Sequence, residues 1–102
     1  MKQSLEMTRF TICPDAEGAF LAGRDAAMNA LRTQYPGLQG ATLVKLKSGE
    51  YLDLVRWTNH DEAQRAMEGA MDIPTVAAWF ANIEAVGAIE HADILHLLMA
   101  GS

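Results

Sequence analysis

The sequence predicts an α+β fold in which helices cover one face of an antiparallel sheet. Stretches with the two-residue hydrophobic period of strands alternate with stretches that have the helical period. Ser48-Gly49 is a turn dipeptide between two of the strand patterns, so those two strands should form a hairpin. Breaks at Pro14, Pro36 and Pro74 divide the successive strand and helix patterns from one another.

The first half of the chain reads as strand, helix, strand. Residues 4–13 form a strand pattern with apolar residues on both faces, so we expect this strand to be covered on both sides. Pro14-Asp15 breaks the strand, and Asp15 is a candidate N-cap for a helix over residues 16–34. A second strand is predicted over residues 40–47, ahead of the hairpin turn.

Residues 51–70 predict the third strand, a polar cap and a short amphipathic helix. One face of this strand carries Tyr51, Asp53, Val55 and Trp57. Thr58 and Asn59 are both good N-caps, and each is followed three residues later by an acid, as in a capping box. The transition from strand to helix places Trp57 and His60 together, at the expected lip of a pocket.

A helix over residues 74–86 and a strand over residues 88–99 complete the predicted order. Pro74 suits a first helical turn, and Gly87 suits the end of that helix. The last strand ends in the apolar run 94–99, which nothing later in the chain covers, and an unpaired strand of this kind favours pairing with another chain.

The resulting order, β-α-β-β-α-α-β, is the ferredoxin-like split βαβ arrangement. Its helices cover one face of the sheet and leave the other face open. We expect a second copy of the same sheet to cover that face. The predicted assembly is therefore a homodimer.

Composition limits the class of protein. The 102 residues match one domain with a core over about residues 4–98, and 50% hydrophobic with 21% charged residues indicate a globular chain. A net charge of −5 without a polybasic patch argues against nucleic acid and an anionic membrane as partners. The lone Cys13 permits no internal disulfide, and no apolar run has the length of a signal peptide or membrane span. We therefore expect a cytoplasmic protein.

A strand that ends in tryptophan and leads through a polar cap into Glu-Ala-x-x-Ala resembles the antibiotic-biosynthesis-monooxygenase domain. The residues that carry the resemblance are Trp57, 58–61, 62–66, the strand-to-helix junction at 12–20, Pro36-Gly37 and the helix pattern at 76–86. It spans about residues 4–98 and implies a dimeric α+β barrel. Members of that superfamily include cofactor-free oxygenases of polyketide quinols, heme-degrading enzymes and many proteins of no known activity.

The resemblance implies the oxidation of a small hydroxylated aromatic, of the quinol or anthrone type, without a cofactor. In such a reaction the substrate loses a proton, and its anion passes an electron to O₂. The protein then needs a base, a donor for the developing oxyanion and a dry aromatic pocket.

Three residues are candidates for catalysis. His60 lies in a first helical turn, where the helix dipole favours a neutral imidazole, although a solvated histidine would suit the same cap. Trp57 can donate its indole N–H to a substrate oxygen or can simply pack beneath the helix. His91 stands one strand period from Asp93, about 7 Å away, so the two can serve as a base and its orienting carboxylate.

Seven residues are candidates for substrate contact: Arg9, Tyr51, Arg56, Trp79, Phe80, Asn82 and Asp93. Trp79 and Phe80 line the expected pocket or belong to the core. Arg9 and Arg56 occupy strand positions, where a guanidinium stabilises a phenolate or pairs with Asp53 or an acid of a partner chain.

The sequence predicts no metal site, because its three histidines show none of the spacings of a ligand set. Heme-degrading relatives carry Asn, Trp and His at places where this chain has Thr8, Ala66 and the region of Trp79, so the resemblance does not extend to heme.

The alternative to an enzyme is a non-catalytic dimer on the same scaffold, either a small-molecule carrier or a stress protein. A third alternative is a dimer whose apparent pocket is filled by side chains.

Overall fold

The computed structural model of the protein describes residues 2–98, which form one antiparallel sheet with helices on one side. The elements are β1 Ser4–Ile12, α1 Glu17–Gln34, β2 Leu38–Lys45, β3 Tyr51–Trp57, α2 His60–Gly69, a 3-10 turn Ala70–Asp72, α3 Pro74–Phe80 and β4 Ile83–Asp93. The strand order is β2-β3-β1-β4. The predicted α+β class and the split βαβ order are therefore confirmed, while the pairing with a second copy stays a prediction.

The pairing register of β1 decides which residues share the inner face of the sheet. Phe10 lies opposite Tyr51 on β3, and Glu6 lies opposite both Val55 on β3 and His91 on β4. Directly opposed residues of antiparallel strands project to the same face. The even-numbered residues of β1 up to Phe10 therefore face the helices, together with the buried row of β3.

The core lies between this inner face and the helices. Its buried side chains are Phe10, Phe20, Ala27, Leu31, Leu38, Tyr51, Val55, Trp57, Ala63, Ala66, Val76 and Trp79. Phe20 links α1 to the rest of the core, because its ring stacks on Trp79 at a centroid distance of 4.9 Å and meets Phe10 edge-on at 5.5 Å. None of the helices within residues 2–98 is both long and apolar enough to cross a membrane.

Helix α3 ends at Phe80, six residues earlier than the predicted end at residue 86. The side chain of Asn82 donates to the carbonyl of Trp79 at 3.0 Å, and Ile83 then pairs with Ile12 of β1. Gly87 does not end a helix; it lies inside β4, close to the backbone carbonyl of Arg9. The hydrophobic period predicted a helix through residue 86 because apolar residues of both α3 and β4 face the same interior.

Strand β4 ends at Asp93, so the strand predicted to continue through residue 98 is wrong there. Residue 99 lies outside the described part of the chain. The backbone of Ile94 still donates to the carbonyl of Gln3 at 2.9 Å. Beyond this bond β1 has no further residues to offer as a pairing partner, since it begins at Ser4.

One predicted helix cap is confirmed and another is wrong. Asn59 caps α2, because its side-chain oxygen accepts a hydrogen bond from the backbone N–H of Glu62 at 2.9 Å. Asp15 does not cap α1; it has a φ of 64°, and Ala16 takes the N-cap position without a side-chain bond.

Candidate active site

A cavity of about 390 Å³ lies between the inner face of the sheet and the helices. This volume is within the range of pockets that hold small molecules. Its aromatic lining comes from Phe10, Trp57, Trp79 and Phe80. Further apolar lining comes from Met28, Leu31, Val55, Ala66, Met67, Ala70, Met71, Val76, Ile83, Val86 and Ile89.

Three polar side chains also line the cavity, and all three project from the two central strands: Glu6, Thr8 and Asp53. Thr8 lies directly opposite Asp53, and Glu6 follows two residues away on the same face. The polar groups are thus gathered on one side of an otherwise apolar space. A ligand with a polar edge and an apolar body matches this distribution.

Asp53 is held in a bidentate ion pair. The Arg24 guanidinium reaches from α1 and donates to the two carboxylate oxygens at 2.9 and 2.8 Å. The same guanidinium lies 5.8 Å from the centre of the Trp79 ring. Because Asp53 is matched by a cation in this fixed geometry, its charge is neutralised within the wall of the cavity.

Glu6 has no such cation, since none of the ion pairs within residues 2–98 joins it to a lysine or arginine. Its Oε1 accepts a hydrogen bond from Trp57 Nε1 at 3.2 Å, and its Oε2 lies 3.8 Å from Nε2 of His91. Burial raises the pKa of the Glu6 carboxyl, and the hydrogen bond from Trp57 and the charge of His91 only partly oppose this effect. Asp53 adds a smaller upward contribution to the same pKa.

His91 connects Glu6 to the protein surface. Its Nε2 is buried and has no hydrogen-bond partner among the described residues. Its ring meets the ring of His60 edge-on, with the centroids 5.0 Å apart. His60 is exposed as the first residue of α2. Glu6, His91 and His60 therefore form a row from the cavity to the surface, which we call the Glu6–His91–His60 row.

The structure brings five of the predicted site residues to the cavity or to this row. Trp57, Trp79 and Phe80 line the cavity itself. His91 and His60 stand behind Glu6. The indole N–H of Trp79 donates to the carbonyl of Phe20 at 2.8 Å, so Trp79 contributes its ring face to the lining.

The structure places the other five predicted residues outside the cavity. Tyr51 is buried in the core, where its hydroxyl donates to Glu17. Arg9 is exposed and pairs with Glu50, and Arg56 donates to the carbonyl of Gln39 on the open face of the sheet. The side chain of Asn82 donates to the carbonyl of Trp79 at the end of α3. Asp93 is exposed at the end of β4, and the carboxylate that approaches His91 is Glu6 instead.

Glu6 is a candidate site residue that the sequence patterns did not single out. It lies between Leu5 and Met7 in a strand that was predicted to be covered on both faces. A carboxylate in such a strand has to be buried, and buried carboxylates need a partner or an altered protonation state. That signal was present in the sequence.

Within residues 2–98, no group of three or more His, Cys, Asp or Glu side chains is arranged to hold a metal ion. No protein-family model matches the chain, and no curated protein sequence is similar to it.

Solved structures do match over nearly the whole chain. SnoaB, a cofactor-independent oxygenase from Streptomyces nogalater, is 19% identical, with 100% of each chain covered and a TM-score of 0.64. A Bordetella bronchiseptica protein assigned to the antibiotic biosynthesis monooxygenases is 18% identical, with 94% of this chain and 100% of that chain covered and a TM-score of 0.72. Rv0793 from Mycobacterium tuberculosis is 22% identical, with 98% and 99% covered and a TM-score of 0.59. These similarities confirm at the level of fold the resemblance that the sequence showed.

Proposed function

We propose that this protein oxidises a small hydroxylated aromatic molecule with O₂, without a cofactor, inside the cavity between its sheet and helices. The observation that carries the proposal is the pairing of a buried carboxyl with an indole N–H, Glu6 with Trp57, in the wall of an aromatic cavity. A protein of the same fold, SnoaB, is a cofactor-independent oxygenase. Fold alone does not assign an activity, so the proposal depends on the site.

The cavity suits a flat aromatic substrate. Phe10, Trp79 and Phe80 offer ring surfaces, and methionines from the helices adapt to the shape of the bound molecule. A hydroxyl on one edge of the substrate would meet the polar side of the cavity, where the indole N–H of Trp57 can donate to a substrate oxygen as well as to Glu6. This donor then stabilises the oxyanion as it develops.

The chemistry requires only the substrate and O₂. For a methylene activated by a neighbouring phenol ring, loss of a proton leaves the electron pair on the substrate. One electron passes to O₂, the two radicals combine to form a carbon–oxygen bond, and the peroxide takes up a proton. Loss of water then gives the ketone, so that CH₂ and O₂ become C=O and H₂O. The protein supplies a proton acceptor, an oxyanion donor and a space from which water is excluded.

Oxygen uptake by the purified, metal-stripped protein tests the proposal with a panel of anthrones and dihydroxynaphthalenes. We expect uptake above the protein-free rate, and a loss of about 100-fold or more in Trp57→Phe, the size of effect that removal of one oxyanion donor typically has. Leu21→Ala is the matched control, because Leu21 is exposed on α1 and outside the cavity. Uptake that Trp57→Phe leaves unchanged, or that falls only in step with the melting temperature, would contradict a functional role of Trp57.

The rival function is non-catalytic binding of a similar molecule. It is favoured by the three methionines of the lining, Met28, Met67 and Met71, which are typical of adaptable binding surfaces. Tryptophan fluorescence separates the two functions, because Trp57 and Trp79 both line the cavity. Saturable quenching by the panel without oxygen uptake supports the binding protein.

A further inference from the structure

We propose that Glu6 is the proton acceptor of the cavity and that His91 and His60 form a proton route from Glu6 to solvent. The inference rests on the proposed oxidation and names the groups that move its protons. The C–H or O–H bond of the substrate breaks, an O–H bond forms on the Glu6 carboxylate, and the electron pair stays on the substrate.

The position of Glu6 suits a proton acceptor. It is the carboxyl of the cavity wall that has no guanidinium bound to it, whereas Asp53 is engaged on both oxygens by Arg24. A carboxylate tied to arginine is a poor base, because the cation stabilises its charged form. Glu6 has no lysine or arginine on its oxygens, and burial raises its pKa although the charge of His91 partly opposes this, so its carboxylate is a stronger base than that of an ordinary glutamate.

A bound aromatic that fills the cavity would exclude water from Glu6, so the proton of Glu6 would then need another route to solvent. A raised pKa favours the protonated carboxyl, and Glu6 accepts a proton from the substrate only in its ionised form. His91 offers a buried Nε2 without a hydrogen-bond partner, 3.8 Å from Glu6 Oε2. An imidazole can accept a proton on one nitrogen and release one from the other, so His91 can pass the proton outward.

His60 completes the route at the surface. Its ring lies 5.0 Å from the ring of His91, and its side chain is exposed to solvent. After O₂ has added, Glu6 returns the substrate's proton to the peroxide, so the sum of the steps consumes no net proton, and the route sets the protonation of Glu6 between turnovers. The groups that face Glu6 are Trp57 and Asp53 from β3 and His91 from β4. Behind them, His60 at the start of α2 contacts His91, and Arg24 of α1 binds Asp53.

Oxygen uptake by three variants tests the route. Glu6→Gln keeps the shape and an acceptor for Trp57 but cannot take up the proton, so we expect kcat to fall by about 100-fold or more with little change in KM. His91→Ala should lower kcat by about tenfold, with recovery as free imidazole is added. His60→Ala should show a smaller loss with the same recovery. The control is His96→Ala, because His96 is exposed in the segment after β4 and lies beside the open face of the sheet.

Two results would overturn the proposal: wild-type turnover in Glu6→Gln, or a loss in His91→Ala that no concentration of imidazole restores although the variant melts like the wild type. A second measurement does not depend on turnover. In a carbon-13 NMR titration of the Glu6 carboxyl, His91→Ala should raise the pKa of Glu6 further, because the charge of His91 lowers it, and His96→Ala should not change it. If the wild type consumes no oxygen with any substrate, the proposed oxidation fails, and an unchanged Glu6 titration in His91→Ala would then separately overturn the route.

Discussion

Two carboxylates on the same inner face of the sheet have different chemical states because of their partners. Asp53 and Glu6 both line the cavity, but only Asp53 has a guanidinium across from it. A buried charge without a cation is costly, so the environment of Glu6 favours its neutral form. The contrast places an ion-paired carboxylate and a carboxyl with a raised pKa on neighbouring strands.

The raised pKa of Glu6 predicts how stability depends on pH. Glu6 loses its proton more readily in the unfolded chain than in the folded one, so its contribution to folding is complete below about pH 4 and is lost as pH rises through its folded pKa. Glu6→Gln removes this loss. We therefore expect the variant to be more stable relative to wild type at pH 7 than at pH 4. The unfolding free energy of the variant minus that of the wild type should be more positive at pH 7. Urea unfolding at both pH values measures this, and a difference that is the same at both would contradict it.

The ion pair between Arg24 and Asp53 predicts a large effect of removing one partner. The two side chains are only 13% and 10% exposed, so Arg24→Met leaves an unpaired carboxylate in the cavity wall and should cost about 3 kcal/mol. Arg9→Met is the control, because Arg9 and Glu50 are 49% and 38% exposed and their pair is worth less than about 1 kcal/mol. Urea unfolding of both variants checks this; equal losses would show that burial of the ion pair does not matter.

At the scale of elements, the junction between β3 and α2 organises the candidate site. Trp57 is the last residue of β3, Asn59 caps α2, and His60 is the first residue of that helix. The cap fixes where the helix begins and therefore where His60 stands relative to His91. A local sequence signal thus places one end of the proposed proton route.

We expect Asn59→Ala to destabilise the protein by about 1 kcal/mol, because an N–H at the start of α2 loses its acceptor. Thermal or urea unfolding measures the effect. Gln64→Ala, at an exposed position of the same helix, should stay within about 0.5 kcal/mol of wild type. A loss in Gln64→Ala as large as that in Asn59→Ala would mean that the side-chain cap is not the cause.

At the scale of the whole molecule, the helices cover only one face of the sheet. Leu5, Leu52 and Leu54 belong to the open face and are half-buried, and most residues of the edge strand β4 are exposed. Val86 and Ile89 of β4 line the cavity and yet remain exposed on this single chain. Apolar surface of this extent favours a partner, and a second copy is the partner that the sequence predicts.

We therefore expect a homodimer at micromolar concentration, which sedimentation velocity measures. Leu54→Asp places a charge on the open face and should weaken the dimer by about 100-fold or more, since a buried unpaired charge costs several kcal/mol. Leu21→Asp adds the same charge on the outer side of α1 and should leave the mass unchanged. A monomeric mass for the wild type would contradict the expectation.

The sequence by itself determined the type and order of the elements, the N-cap at Asn59 and the strand that ends in Trp57. These features follow from hydrophobic period, turn residues and capping, all of which act between residues a few positions apart. The same locality explains the failure at residues 81–86, where helix and strand residues face one interior and a local pattern cannot separate them.

Only the tertiary structure decided which residues from distant parts of the sequence contact one another. Glu6 and His91 lie at opposite ends of the chain and meet because β1 pairs with β4 in one register, and Arg24 reaches Asp53 because α1 packs over β3. A shift of one residue in that register would turn Glu6 away from the cavity, because alternate residues of a strand face opposite sides. Register is set by the packing of the whole core, so no local stretch of this sequence contains it.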